Sequence, residues 1–518
     1  MKTLKFKRRI SRTLILFLFL FLLSLLYFQP FYKCSNDIKN LNEIKKFYDN
    51  LEIVSSNCND NNINSDEDET DLMIKQMLLK SIRKPINVFD FDELKEREEL
   101  HSALWKKLFG KYQLFTDDKE LLSYKINLIS NSSFLIAKNH TELEEIDQKL
   151  LATLHQSLYP WLYSYRYSSF DQVIKTSNGK GIVICTGNEH FKFARSTIDI
   201  LRNVLHCSLP IEIFYISDND LSKKNQKILK KFSNVYLSDI TTYFDNDIIN
   251  LYGWAIKPFA VLGSRFEEVI LMDADVIFVR DPIELFNDNG YIKTGSLFFK
   301  DRTLPHFIYD GKDWLKTWMN NPLPETRSLR YFQGKSIHEM ESGVVVVHKT
   351  KNILGLLNTC KLNENKIRDN IVYKFVHGDK ETYWIGFDMA RQHYNLDPEP
   401  SSVFGEFVNI KTVYGTNETL LCGHIGHSRN GNLLFWNGHL VKNKNNDVDK
   451  YNILNFEAFF IENENVEWVN GFRCLSLNDG KKPIILNDEE KSVLNQILER
   501  EKKYHFVVPK NIISNNRN

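Results

Sequence analysis

The sequence predicts an α/β protein whose core is a mostly parallel sheet with helices on both faces. Two observations predict it. From Gly179 onward, short apolar runs of strand length alternate with segments of helical spacing. The fourth of these runs, residues 269–279, is apolar throughout except for Asp273 and Asp275. Burying a lone carboxylate costs several kcal/mol, so two acids in a buried strand imply a counter-charge.

The chain has 518 residues, 42% of them hydrophobic, enough for several domains or one large core. Its net charge is +1, but Lys2, Lys5, Lys7, Arg8, Arg9 and Arg12 precede the first apolar run. Without them 61 basic residues face 66 acidic ones. That balance gives no electrostatic basis for binding nucleic acid.

Residues 13–28 are almost wholly apolar and span roughly 24 Å as a helix. Tyr27, Phe28, Gln29 and Pro30 follow, with no small-x-small cleavage site. The segment reads as a retained transmembrane signal-anchor in a single-pass type II arrangement. Residues 1–12 are then a cytosolic tail, and the rest of the chain is lumenal. Three sequons, at Asn131, Asn139 and Asn417, fit that address. Residues 29–75 read as a flexible stem, because the stretch 57–71 is mostly Asn, Asp, Glu and Ser.

Residues 76–175 read as a helical subdomain, with apolar residues at helical spacing over 93–109 and 142–158. Tyr159, Trp161, Tyr163, Tyr165 and Tyr167 follow; they read as a cap packing on the core rather than a sugar-binding platform. Seven cysteines allow one to three disulfides. Cys34 and Cys58 are close enough in sequence to pair, and Cys185 reads as a buried thiol. With no Cys-x-x-Cys, a zinc cluster is not expected.

Residues 176–518 form the α/β domain. Strands are expected at 181–186, 211–216, 235–237 and 269–279, with helices at 191–205, 221–232 and 254–266 between them. Ligands of such sheets bind at the carboxyl ends of the strands, where Thr186 and Asp273 fall. Residues two apart on a strand share a face, so Asp273 and Asp275 should converge on a divalent cation carrying a phosphorylated substrate. Lys257, at the start of the preceding helix, either neutralises a diphosphate or is a solvated lysine. Glu341-Ser342-Gly343 opens a buried strand where a ligand can approach the backbone, or is an ordinary strand start. Asp379 and Glu381 either cap the following helix or act as acids at the reaction centre. In the polar, glycine-rich stretch 422–429, His427 or His424 is a candidate third metal ligand.

Together these residues resemble the fungal α-1,3-mannosyltransferase family of type II Golgi proteins. The resemblance covers roughly residues 181–438. It rests on His190-Phe-Lys-Phe-Ala-Arg195, Lys257-Pro258-Phe259, Leu271-Met-Asp-Ala-Asp-Val276, Glu341-Ser-Gly343, Gly378-Asp-Lys-Glu381, and His427 with Trp436-Asn437. It implies a GT-A-like, Rossmann-like fold, GDP-mannose as donor, and mannose-terminated N- or O-glycans of glycoproteins as acceptors. It further implies Golgi membrane residence and leaves open a complex with other Golgi transferases. On this resemblance Asp273 contacts the nucleotide ribose and the metal shell, Asp275 ligates Mn²⁺, and His427 completes the set. Lys257 sits near the nucleotide, and Asp379 and Glu381 face the reaction centre. An α-linked product from an α-linked donor means retention, by a front-face route or by double displacement. A UDP-sugar transferase and a non-catalytic glycan-binding protein are the alternative classes.

Overall fold

The computed structural model describes residues 65–109, 142–304, 311–411, 415–446, 449–463, 467–469, 471, 473–477 and 482–504. The expected tail, anchor and most of the stem lie outside these residues, as do Cys34, Cys58, Asn131 and Asn139. No described helix is long and apolar enough to cross a membrane.

Three helices precede the sheet: α1 (Ser65–Ile82), α2 (Phe91–Phe109) and α3 (Glu142–Leu158). α1 begins ten residues inside the stretch read as stem. It is tied to α3 through a buried ion pair between Lys75 and Asp147 (3.2 Å). The aromatic cluster after α3 is a run of turns. Tyr159, Trp161 and Tyr167 are buried, and Trp161 meets Phe244 and Phe259 edge-on at 5.5 and 4.9 Å. It caps the core, as its composition suggests.

The alternating region folds into a six-stranded sheet: β1 (Lys180–Cys185), β2 (Ile211–Tyr215), β3 (Val235–Asp239), β4 (Glu268–Asp273), β6 (Ser296–Lys300) and β7 (Met340–His348). The spatial order is β3-β2-β1-β4-β7-β6. β1 to β4 run parallel, and β7 runs antiparallel to both β4 and β6. Ile182, Ile184, Ile211, Ile270 and Val344 point to one face and pack with Phe193 and Ile198 of α4 (Phe191–Asn203). The alternate residues cover the other face. There Phe298 packs on Tyr383 and Phe387 of α8 (Thr382–Met389). The eight residues of α6 (Ile256–Gly263), all buried, form no part of the α4 face; this helix follows α5 (Lys223–Leu229) in the chain, and α7 (Ile353–Leu362) lies between β7 and α8. Helices on both faces follow from a sheet apolar on both sides.

A second, antiparallel sheet is built from β8 (Ser402–Lys411), β9 (Asn417–Arg429), β11 (Ala458–Ile461), β12 (Trp468–Val469), β13 (Cys474–Ser476) and β14 (Ile484–Ile485). β10 (Asn432–Asn437) pairs with β9 and with the short β5 (Val276–Phe278). The segment 422–429, read as a polar glycine-rich stretch, is thus strand. Its glycines answer a steric demand: Gly423 faces Gly405, and a Cβ on either would come within 2.0 Å of a carbonyl oxygen across the pair. Cys422 pairs with Cys474 directly opposite it on β13, while Cys185, Cys207 and Cys360 are free thiols. The final helix α9 (Asp488–Tyr504) brings Leu494 and Ile497 against Ile277, Phe404 and Trp436.

Candidate active site

The run 269–279 is not one strand. β4 ends at Asp273, Ala274 and Asp275 make a turn, and β5 starts at Val276 in the other sheet. The convergence expected from a strand period of two therefore does not apply. The backbone oxygen of Asp275 accepts N–H bonds from Gly438 (3.1 Å) and His439 (2.7 Å), which pins the turn to the end of β10. Asp273 is partly exposed and pairs with Lys257. Asp275 is buried and forms an ion pair with Lys444. Burial works against its charge, but Lys444 prevails and holds the carboxyl below the usual range.

Lys257 is buried in the first turn of α6, with Pro258 next to it where a missing N–H is tolerated. Its Nζ lies 2.7 Å from Asp273 and 3.7 Å from Asp379, and donates to the backbone oxygen (3.2 Å) and Oγ (3.3 Å) of Ser342. Burial opposes its charge, but Asp273 and then Asp379 hold the ammonium above the ordinary lysine range. The solvated alternative is excluded. Lys257 links the carboxyl end of β4, the start of β7 and the loop before α8.

Around this cation stand acids with incomplete hydrogen bonding. Asp379 accepts from Ser342 Oγ (3.2 Å) through Oδ1, and its buried Oδ2 has no hydrogen-bond partner. Burial, only partly offset by Lys257, raises its pKa to about 6. The sequence marks Glu341 only through the backbone approach beside it. It accepts from Gly343 N (2.8 Å) and Asn437 Nδ2 (2.7 Å) through Oε1, while the buried Oε2 is left without a hydrogen bond. Burial, then Asp273, raises it to about 7. Glu381 differs: its oxygens take the Trp384 indole N–H (2.6 Å) and the Glu339 N–H (3.0 Å). Both are committed to holding the chain, and its side chain caps no helix.

Among the described residues no three His, Cys, Asp or Glu side chains form a cluster able to hold a metal. Asp273, Asp275 and His427 are not brought together. His427 is packed between Phe299 and Phe435, its Nε2 is 3.9 Å from Glu341 Oε2, and its charged neighbours are Asp301 and Arg302. His424 Nε2 is bonded to the Val441 carbonyl (2.8 Å). His439, which sequence reasoning missed, stands at the Asp275 turn, and His424 and His190 also feel the Asp275 charge. His439 is fully buried, feels the Asp275 charge, and neither ring nitrogen has a hydrogen-bond partner. Burial lowers its pKa to about 3, so the ring is neutral and able to donate a lone pair. The neutral His439 imidazole and the Asp275 carboxylate have the donor chemistry of an Mn²⁺ site, but together with Asp273 they form no cluster able to hold the ion among the described residues. Lys444, also unforeseen, now neutralises Asp275. Gly438 and His439 both have positive φ (136° and 60°), and a Gly-His pair leaving a strand end is the sequence signal that marked this turn. Thr186 stands at the end of β1 as expected, beside Gly187, where a Cβ would meet Asp220 at 2.1 Å.

A six-stranded sheet with one reversed strand, an acid pair at the end of its fourth strand and a buried lysine across it make a GT-A-like architecture. Residues 179–428 match the family described as "Mannosyltransferase putative". Through this region the chain is similar to fungal α-1,3-mannosyltransferases. It is 28% identical over 300 residues to "Putative alpha-1,3-mannosyltransferase MNN14" of Candida albicans, covering 49% of this chain and 43% of that protein. It is 26% identical over 302 residues to "Alpha-1,3-mannosyltransferase MNT3" of Saccharomyces cerevisiae, covering 51% and 47%. The chain thus spans about half the length of the relatives it matches. Core-mannan synthase A of Aspergillus fumigatus, solved in a Mn/GDP form, overlaps 41% of this chain and 70% of its own at 11% identity and a TM-score of 0.30. At that score the likeness adds nothing to the topology read from the strands.

Proposed function

We propose that this chain transfers mannose from GDP-mannose to mannose-terminated glycans of glycoproteins, forming α-1,3 linkages with retention. We further propose that it does so as a single-pass type II protein with its catalytic domain in the Golgi lumen. The observation that carries the reading is the buried Lys257 held between Asp273 and Asp379 at the sheet's carboxyl edge. A pre-placed ammonium there meets a diphosphate and stabilises the charge on the leaving nucleotide. Mn²⁺, when bound, offsets the rest of that charge. Asp273, Asp275 and His439 are the residues that would have to draw together to hold it, with Asp275 released from its ion pair with Lys444.

Asp379 and Glu341 are the carboxylates with an unpaired oxygen near this point. In a front-face route the departing phosphate oxygen takes the acceptor proton, and these groups orient acceptor hydroxyls. In a double displacement one of them attacks the anomeric carbon. Glu381 is unsuited to either role, since both its oxygens are engaged.

The test is a donor screen with the full chain, Mn²⁺ and an α-mannobiose acceptor, with product linkage read by NMR. The reading requires transfer from GDP-mannose, inhibition by GDP over UDP, and an α-1,3 product. Transfer from a UDP-sugar alone, or glycan binding without transfer, would replace it with one of the alternative classes.

A further inference from the structure

Tyr252 and Trp254, in the turn leading into α6, are 52% and 51% exposed. Both are fixed from behind. The Tyr252 ring lies under the Arg368 guanidinium at 4.3 Å, and its hydroxyl donates to Asp369 (2.7 Å). The Trp254 indole lies against His377, ring centres 5.2 Å apart, and against Gly378. A Cβ at Gly378 would come within 2.8 Å of the indole, and its φ of +68° suits glycine, so this residue lets the ring lie on the backbone. Asp379 follows at once, with its buried, unpaired Oδ2, and Lys257 is three residues from Trp254.

A large aromatic left half in water yet immobilised is a surface prepared for a ligand. The indole offers an apolar face, and the groups beside it offer a carboxylate oxygen and an imidazole. That combination recognises a pyranose, whose C–H face stacks on the ring while its hydroxyls bond to the polar groups. We propose that Trp254 is the platform for the acceptor sugar, a terminal mannopyranose with a hydroxyl turned toward Asp379. The identity of the sugar rests on the function proposed above; the platform rests on the geometry. Tyr165, 56% exposed in the turns after α3, serves as a control.

The experiment compares the full-length wild type with Trp254→Ala, Trp254→Phe and Tyr165→Ala. It reads saturation-transfer NMR with α-mannobiose, GDP binding in Mn²⁺, and steady-state transfer. Trp254→Ala should lose the mannobiose signal and raise the acceptor KM about tenfold or more, with GDP binding and donor hydrolysis unchanged. Trp254→Phe should keep most of the signal, and Tyr165→Ala should match wild type. An unchanged KM and signal in Trp254→Ala would overturn the assignment. So would loss of GDP binding in that variant, which would make the indole a base-stacking residue, or a wild type that gives no mannobiose signal. A wild type that binds mannobiose through Trp254 but does not use GDP-mannose would end the donor reading and leave the platform standing.

Discussion

Lys257 Nζ stands 2.7 Å from Asp273 Oδ1, at the place where β4 leaves the parallel sheet. The same ammonium is the counter-charge for buried Asp379 and a donor to Ser342. Removing it leaves buried Asp379, partly exposed Asp273 and Ser342 short of a partner. Lys257→Met should therefore destabilise the fold by about 3 kcal/mol in urea titration, the usual cost of breaking a buried pair from one side. It should also abolish transfer. A variant as stable as wild type would mean that Asp379 is protonated without cost and that Lys257 matters only for the donor.

The placement of His439 separates two ligand sets. His439 shares the Asp275 turn, whereas His427 belongs to an aromatic pocket beside Glu341. His439→Gln should raise the Mn²⁺ concentration for half-maximal transfer by about tenfold or more. His427→Gln should leave that concentration unchanged. The reverse outcome would restore the ligand set expected from the sequence.

Glu341 and Glu381 are both buried acids raised to about 7, yet their surroundings differ. Glu341 keeps an oxygen free, while Glu381 spends both on Trp384 and the Glu339 backbone. Glu341→Gln should lower kcat by about 100-fold with GDP affinity intact. Glu381→Gln should act on stability, because one amide end then faces the N–H it used to accept from. Equal kcat losses at equal stability would erase the distinction.

Alternation of apolar runs with helical spacing made the parallel sheet legible, since β1, β2 and β4 are buried on both sides and so read as continuous runs. The same property hid the break at Ala274. β4 and β5 are both buried, each in its own sheet, so hydropathy runs on without a mark. What holds the Asp275 turn is a pair of backbone N–H bonds from Gly438 and His439, so distant in sequence that reading the chain does not tie the Gly-His signal to Asp275. Lys257 was legible as a candidate because a lysine beside proline at a buried helix start is unusual. Glu341 and Glu381 could not be ranked, because which carboxylate oxygens are satisfied depends on Asn437 and Trp384 arriving from other elements.

Away from the site, Glu98 of α2 is fully buried and accepts from Tyr159 Oη at 2.6 Å. Burial raises its pKa to about 8 against the hydrogen bond from Tyr159, so it is protonated in the fold where the unfolded chain is already ionised. Between its ordinary value and about 8 the native state holds the extra proton. Its contribution to stability is thus complete at low pH and is lost as pH rises through about 8. His101 and His155 lie in the same helix pair, 3.0 Å apart, and burial lowers both. Their effect has the opposite sign: stability present above the ordinary histidine value and lost as pH falls below it. The two slopes oppose each other in acid, so the carboxyl is cleanest to read between pH 6.5 and 8. Over that window wild-type stability should fall by about 2 kcal/mol relative to Glu98→Gln, which cannot titrate. Parallel wild-type and Glu98→Gln curves in urea denaturation across the window would mean that Glu98 is ionised in the fold, with Tyr159 and Lys361 supplying its compensation.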